Sequence, residues 1–343
     1  GLSTCAPAER GPVSNLILLT IDTVRTDHLS AYGYKRDTSP FIQSLVREGI
    51  RFDNAFAAMS MTGPAHASMF TGLQPLEHGV LHNLQVLDES FVTLAEHLRD
   101  AGYQTGAVVS VRFLSDERLD QGFDHWDQPD RSFARYRRAN DTMDAAIDWL
   151  DGIDPSKPYF LWIHAFDPHQ PFMVDDGLYA KFAGIPEPDK KTFSEYLMSE
   201  HKITLARHHD SVPTMFAWVS RYDSEIRWVD DHFGRFIGEV KRRGLDDELL
   251  TVVTADHGQG VGSHDYLAHT KRIYNEQLRL PLVFHFPSKW RKGLKVDAVV
   301  EQADLMPTLL DILEVNSPAP SADDANGARS MLPLMEGTTG VWQ

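Results

Sequence analysis

The sequence predicts an α/β domain built on a mostly parallel central sheet flanked by helices. Two observations carry that prediction. Short apolar runs rich in β-branched residues alternate with segments of helical period along most of the chain. Two of those runs end directly in acidic residues, as strands do when they deliver ligands to the carboxyl edge of an open sheet.

The elements follow in order. Residues 15–21 read as a fully buried strand, because the run shows no alternation that would expose one face. Residues 39–49 and 91–101 read as helices, the second leading to a strand at 105–110. Pro64 suits the first turn of a further helix, which puts Thr62 at its N-terminal mouth. Met143, Ala146, Ile147 and Leu150 repeat at helical spacing ahead of a strand at 159–164. The longest amphipathic helix aligns Val219, Tyr222, Ile226, Val229, Phe233, Phe236 and Val240 on one stripe. Strands at 249–254 and 281–286 come next, then a late helix at 304–313 with Pro307 in its first turn. Residues 172–212, polar and rich in Lys and His, break this rhythm and read as an insertion, while 317–326 read as a loop.

With 343 residues, 42% of them hydrophobic, the chain can bury one large core. No run reaches the roughly 18 apolar residues of a membrane helix. The net charge of −16 argues against a surface for nucleic acid or anionic lipid. It leaves room for a small anionic substrate, since a bound divalent metal dominates its local field. Cys5 is the single cysteine, so no internal disulfide framework exists. It lies in Leu2-Ser3-Thr4-Cys5, which is similar to the end of a bacterial lipoprotein signal; a free thiol in a disordered tail over 1–14 is the alternative. On the first reading the protein is exported, and is periplasmic or lipid-anchored through Cys5.

Asp22 follows the first strand directly, and Asp256 and His257 follow a later one in Thr254-Ala255-Asp256-His257-Gly258. Two acids and a histidine at one sheet edge make a half-shell for a divalent cation, although an acid after a strand is more often a simple cap. Thr62 would sit where free backbone N–H groups can hold an anion, and a metal would have to favour its alkoxide for it to attack.

Residues 15–33, Ser39-Pro40-Phe41-Ile42, Glu48-Gly49-Ile50-Arg51-Phe52, Thr71-Gly72-Leu73, His78-Gly79-Val80, Asp167-Pro168-His169 and Asp256-His257-Gly258 appear in the order of the sulfatase family, with further matches near 304–308 and 329–334. The chain therefore resembles that family, in the alkaline phosphatase superfamily, over nearly its whole length. The resemblance implies an alkaline-phosphatase-like sandwich over 15–343 and hydrolysis of anionic esters carried on a small molecule, glycan or lipid. It also implies a small C-terminal subdomain, for which the sequence leaves no room, so that part reads as absent or trimmed.

The departures are informative. Sulfatases oxidise a Cys or Ser to formylglycine within Cys/Ser-x-Pro-x-Arg. Thr62 and His66 occupy those positions here, and threonine cannot give the aldehyde, so no formylglycine is expected. Thr-x-Pro-x-His is similar to the nucleophile turn of nucleotide pyrophosphatase/phosphodiesterases. The resemblance then implies one divalent metal (Mn, Zn, Mg or Ca) held by Asp22, Thr62, Asp256 and His257, with Thr23 in place of a second acid. It places His169 on the substrate's anionic group, and His269 and Lys271 as leaving-group acid or charge stabiliser. His66 stands either on an ester oxygen or in a packed, capping role. Asp167, His164 and His264 are candidates for a second metal without a clean motif. A threonyl ester must be cleared by water at phosphorus or sulfur, which favours phosphate or phosphonate esters while sulfate esters stay open. A transferase of phosphoglycerol or phosphoethanolamine, and a catalytically silent glycan- or ester-binding protein, are the competing readings.

Overall fold

A computed structural model describes residues 15–114, 119–130, 136–173, 175–185, 215–286, 290, 292–316 and 327–337. Cys5, most of the expected insertion and the 317–326 loop lie outside the described residues. Eight strands form one sheet: β1 (Asn15–Ile21), β2 (Ile50–Phe56), β3 (Gln104–Val109), β4 (His125–Asp127), β5 (Tyr159–Ala165), β6 (Leu249–Ala255), β7 (Arg279–His285) and β8 (Leu294–Glu301). Their order is β4-β3-β5-β1-β6-β7-β2-β8. Only β7 runs against its neighbours; every other pairing is parallel.

Position in the sheet explains composition. Central β5 and β6 are buried at every residue, and β1 at all but Asn15, as continuous apolar runs require. Edge strand β8 instead alternates between exposed and covered positions. The sequence hides that alternation because apolar Val299 occupies an exposed position, so Ala298-Val299-Val300 reads as an unbroken apolar run. Strand β2 carries a register shift after Phe52, which breaks its period of two, and β4 has three residues.

The registry of the centre positions the site. Ile21 of β1 pairs with Ala165 of β5 on one side and with Ala255 of β6 on the other. The next residues, Asp22, Phe166 and Asp256, therefore leave the sheet side by side. The expected helices are present as Pro40–Glu48, Thr62–Thr71, Leu94–Asp100, Ala139–Asp151, Met215–Arg242 and Leu305–Ile312. In the 28-residue helix every residue of the predicted apolar stripe is buried. It packs on the Ala139–Asp151 helix and on a short helix, Asp176–Ala183, inside the expected insertion.

Candidate active site

Asp22, Asp256 and His257 converge with one ligand atom each inside a 4.8 Å group, and all three are buried. Local bonding aims them. Asp256 Oδ1 accepts from the backbone N–H groups of His257 (2.7 Å) and Thr23 (3.1 Å), which turns Oδ2 toward the centre. His257 donates Nδ1–H to the Gly258 carbonyl at 2.9 Å, so Nε2 carries the lone pair that faces the acids. Gly258 is required there: a Cβ would meet the Glu276 carbonyl oxygen at 2.1 Å.

The turn after β1 is strained. Thr23 is β-branched yet holds φ 57°, a conformation that disfavours such residues by about 1–3 kcal/mol. Tyr222 clamps it, donating to the Thr23 carbonyl at 2.7 Å and accepting from the Arg25 N–H at 2.9 Å. The same turn points the Thr23 N–H at Asp256 Oδ1.

Electrostatics leave this group short of positive charge. Asp22 Oδ1 and Asp256 Oδ2 are buried with no hydrogen-bond partner. Burial, then the neighbouring Asp256 charge, holds the Asp22 carboxyl well above the usual carboxylate range. Burial pushes His257 down to about 3 and His164 well below the ordinary imidazole value. His164, with both ring nitrogens unpartnered, lies with Nε2 3.5 Å from Asp22 Oδ2. Orphaned carboxylate oxygens beside a neutral imidazole nitrogen are the donor set a divalent cation fits.

Thr62 opens the Thr62–Thr71 helix, and its hydroxyl lies 3.4 Å from both Asp22 Oδ2 and His257 Nε2. The helix mouth itself differs from expectation. Gly63 donates its N–H to Asn83 Oδ1 at 2.7 Å and Pro64 has none, so the anion-holding amides expected there narrow to that of Thr62. Asn83, beyond the short helix Pro75–His78, is a site-shaping residue that no local motif marked.

His169 and His269, a hundred residues apart, meet with their Nε2 atoms at 3.0 Å. Each donates Nδ1–H to a carbonyl, of Gln170 (2.5 Å) and Ser60 (3.3 Å) respectively. Two lone pairs would then face each other, so the contact is favourable only with one shared proton. Burial, and then the nearby imidazole of His269 for His169 and of His257 for His269, pushes each down to about 4. The His269 ring is 4.5 Å from that of His257, which puts the pair beside the Asp22–Asp256–His257 group.

Other candidates fall elsewhere. His66 is fully buried, donating Nδ1–H to the Thr62 carbonyl (2.8 Å) and accepting from the Thr20 hydroxyl (3.0 Å), so both nitrogens are committed behind the site rather than to an ester oxygen. Lys271 is exposed on the loop beyond His269. The three second-metal candidates do not assemble. Asp167 caps the Ala139–Asp151 helix and binds Arg138, His264 pairs with Glu276 at 2.6 Å, and His164 stays with Asp22.

The sulfatase family model matches residues 14–315. This chain belongs to the sulfatase family. Family relatives include an N-acetylglucosamine-6-O-sulfatase of Bacteroides thetaiotaomicron, 25% identical across 98% of this chain and 73% of that protein. Another is the multifunctional alkaline phosphatase superfamily protein PehA of Trinickia caryophylli, 24% identical across 96% of this chain and 78% of its own length. The crystal structure of a phosphonate monoester hydrolase of Agrobacterium radiobacter superposes with a TM-score of 0.74 at 23% identity, covering 95% of this chain and 77% of that one. The fold is thus that of the sulfatases and phosphonate hydrolases, and the family is one of ester-bond hydrolases.

Proposed function

We propose that this sulfatase-family chain is a metal-dependent hydrolase of phosphate or phosphonate esters that works through Thr62. One observation carries the reading: the Thr62 hydroxyl is equidistant, at 3.4 Å, from a ligand oxygen of Asp22 and the free nitrogen of His257. Asp22, Asp256, His257 and the Thr62 oxygen would hold one divalent cation, Mn, Zn, Mg or Ca. When bound, such a cation withdraws charge from the threonine oxygen and from an ester oxygen.

The chain's own residues do the rest. The Thr62 oxygen attacks phosphorus while the bond from phosphorus to the alcohol oxygen breaks. Thr62 would react as its alkoxide, and the departing alcohol takes its proton from the His169–His269 pair. Water then attacks phosphorus, its proton returns to the histidine pair, and the bond to Thr62 breaks to return the alkoxide. The buried walls around the site keep bulk water from competing with this order.

A second reading, sulfate-ester hydrolysis without formylglycine, draws support from the sulfatase names of the relatives. A panel of aryl sulfate, phosphate monoester, phosphodiester and phosphonate monoester, run with each metal and with Thr62→Ala, separates the two. Metal-dependent turnover of a phosphorus ester that disappears in Thr62→Ala supports the first. Preferential turnover of the sulfate selects the second, and turnover surviving in Thr62→Ala removes both.

A further inference from the structure

His169 stands at the end of a four-residue turn, closed by its N–H on the Phe166 carbonyl at 2.9 Å. The Phe166 ring lies on the imidazole, 4.2 Å between centroids and 19° between planes, and Tyr136 packs on Phe166 in its turn. Beyond the turn, Gln170 donates to the Leu267 carbonyl at 2.5 Å, two residues before His269.

The ionic anchor of the turn is Asp167, its second residue, which is wholly buried. Asp167 Oδ1 accepts from the Ala139 N–H at 3.1 Å and from Arg138 Nε at 3.2 Å. The same guanidinium donates through Nη2 to Glu225 at 2.9 Å and lies over the Trp228 ring at 4.4 Å. One planar fork thus joins the start of the Ala139–Asp151 helix, the Met215–Arg242 helix and the turn that carries His169.

This cluster exceeds what a helix cap requires. Asp167 and the Ala139 N–H alone would make the cap. Instead two buried acids share one cation, and Asp167 Oδ2 and Glu225 Oε1 are left without a hydrogen-bond partner. Burial, and then the Asp167 charge, pushes the Glu225 carboxyl up to about 8, so near neutral pH it serves Arg138 chiefly as an uncharged acceptor. We propose that Arg138, gripped by Glu225, is a positioning residue: acting through Asp167, it sets the turn so that His169 Nε2 meets His269 and the pair can protonate the departing alcohol. The inference rests on the role given to that pair in the proposed mechanism.

A leaving-group series tests it. Metal-loaded full-length variants are assayed on 4-nitrophenyl, phenyl and alkyl esters of one phosphorus acid; 4-nitrophenol departs with little help, whereas an alkanol needs the proton. Arg138→Lys keeps the charge but loses the fork. It is expected to lower kcat on the alkyl ester about 10–100-fold, with less than about threefold on the 4-nitrophenyl ester and KM little changed. Glu225→Leu is expected to follow it, while Glu225→Gln, which keeps an acceptor, stays near wild type; this second pair of variants reads the link should Arg138→Lys misfold. Imidazole nitrogen NMR of the metal-free chain reads it without turnover: the His269 signals are expected to move in Arg138→Lys as they do in His169→Ala, and to stay in Glu225→Gln. An equal fall on every ester, or His269 signals unmoved by Arg138→Lys, overturns the proposal. Leaving-group selectivity in His169→Ala but not in the Arg138 and Glu225 variants overturns it alone, whereas none in His169→Ala removes the pair as proton donor and this inference with it.

Discussion

Two clusters of buried acids and histidines lie in this protein, and they are built to opposite rules. Asp223, His28, Tyr34 and Arg36 form the first. Its Asp223 Oδ1 meets His28 Nδ1 at 2.7 Å, and Oδ2 accepts from the Tyr34 hydroxyl and from Arg36, each at 2.8 Å. Asp22, Asp256, His257 and His164 form the second, equally inaccessible to solvent. There, Asp22 Oδ1, Asp256 Oδ2 and both His164 nitrogens have no partner.

The carboxyl groups respond accordingly. Burial alone would raise Asp223, but His28, Arg36 and Tyr34 together bring it below the usual range. Burial raises Asp22 and the adjacent Asp256 raises it further. Depth of burial is therefore no guide to function; whether the buried charge is satisfied by protein is. The first cluster anchors the segment after β1 to the long helix, and the second keeps buried polar atoms that no protein group satisfies.

The comparison can be broken most sharply by chemistry. Thr62→Ala is expected to lower turnover on the order of 10³-fold or more while leaving thermal unfolding nearly unchanged. A comparable fall in turnover for folded Asp223→Ala would erase the distinction. That second variant is instead expected to lose about 3–5 kcal/mol of stability, because it leaves buried Arg36 without its counter-charge and the His28 Nδ1–H without its acceptor. Urea unfolding measures it, and a loss below about 1 kcal/mol would mean the cluster is not a structural anchor.

Metal sharpens the contrast from the other side. Mn²⁺ or Zn²⁺ at a hundredfold its dissociation constant is expected to stabilise the wild type by about 2.7 kcal/mol, and to do nothing for Asp256→Ala. Equal stabilisation of both proteins would place the cation elsewhere.

The smallest effect is a slope. Asp22 has a raised folded pKa, so the metal-free folded state binds more protons than the unfolded chain. Its contribution to stability therefore declines as pH rises above the ordinary carboxylate range. Asp223 has a lowered one, so its contribution is full above that range and is lost as pH falls through the folded value. Unfolding free energies of metal-free protein between pH 4 and 8 are expected to show a less negative slope for Asp22→Asn than for wild type. An unchanged slope would show that Asp22 is satisfied by a partner after all.

Much of this was readable in the chain itself. Asp22 and Asp256-His257 were marked because each follows an unbroken apolar run, and a fully buried parallel strand must end where its ligand-bearing loop begins. Thr62 was marked by Pro64, which belongs in a helix's first turn. Strands β2 and β8 escaped because a register shift in the one and an apolar residue, Val299, on the exposed face of the other break the apolar/polar alternation in the sequence. His66 was legible as a site-adjacent residue but not as a packed one, since only the Thr20 hydroxyl and the Thr62 carbonyl decide where its nitrogens point.

Local sequence thus determined the fold class, the placement of Asp22 and Asp256-His257 at the ends of central strands and the start of the helix at Thr62, because strand burial and helix starts are properties of neighbouring residues. Tertiary structure alone decided three things: that His169 meets His269 across a hundred residues, that His164 lies against Asp22, and that His264 turns away to stack on Tyr274. An imidazole is ligand, proton carrier or core side chain according to what faces its two nitrogens, and those partners come from other strands.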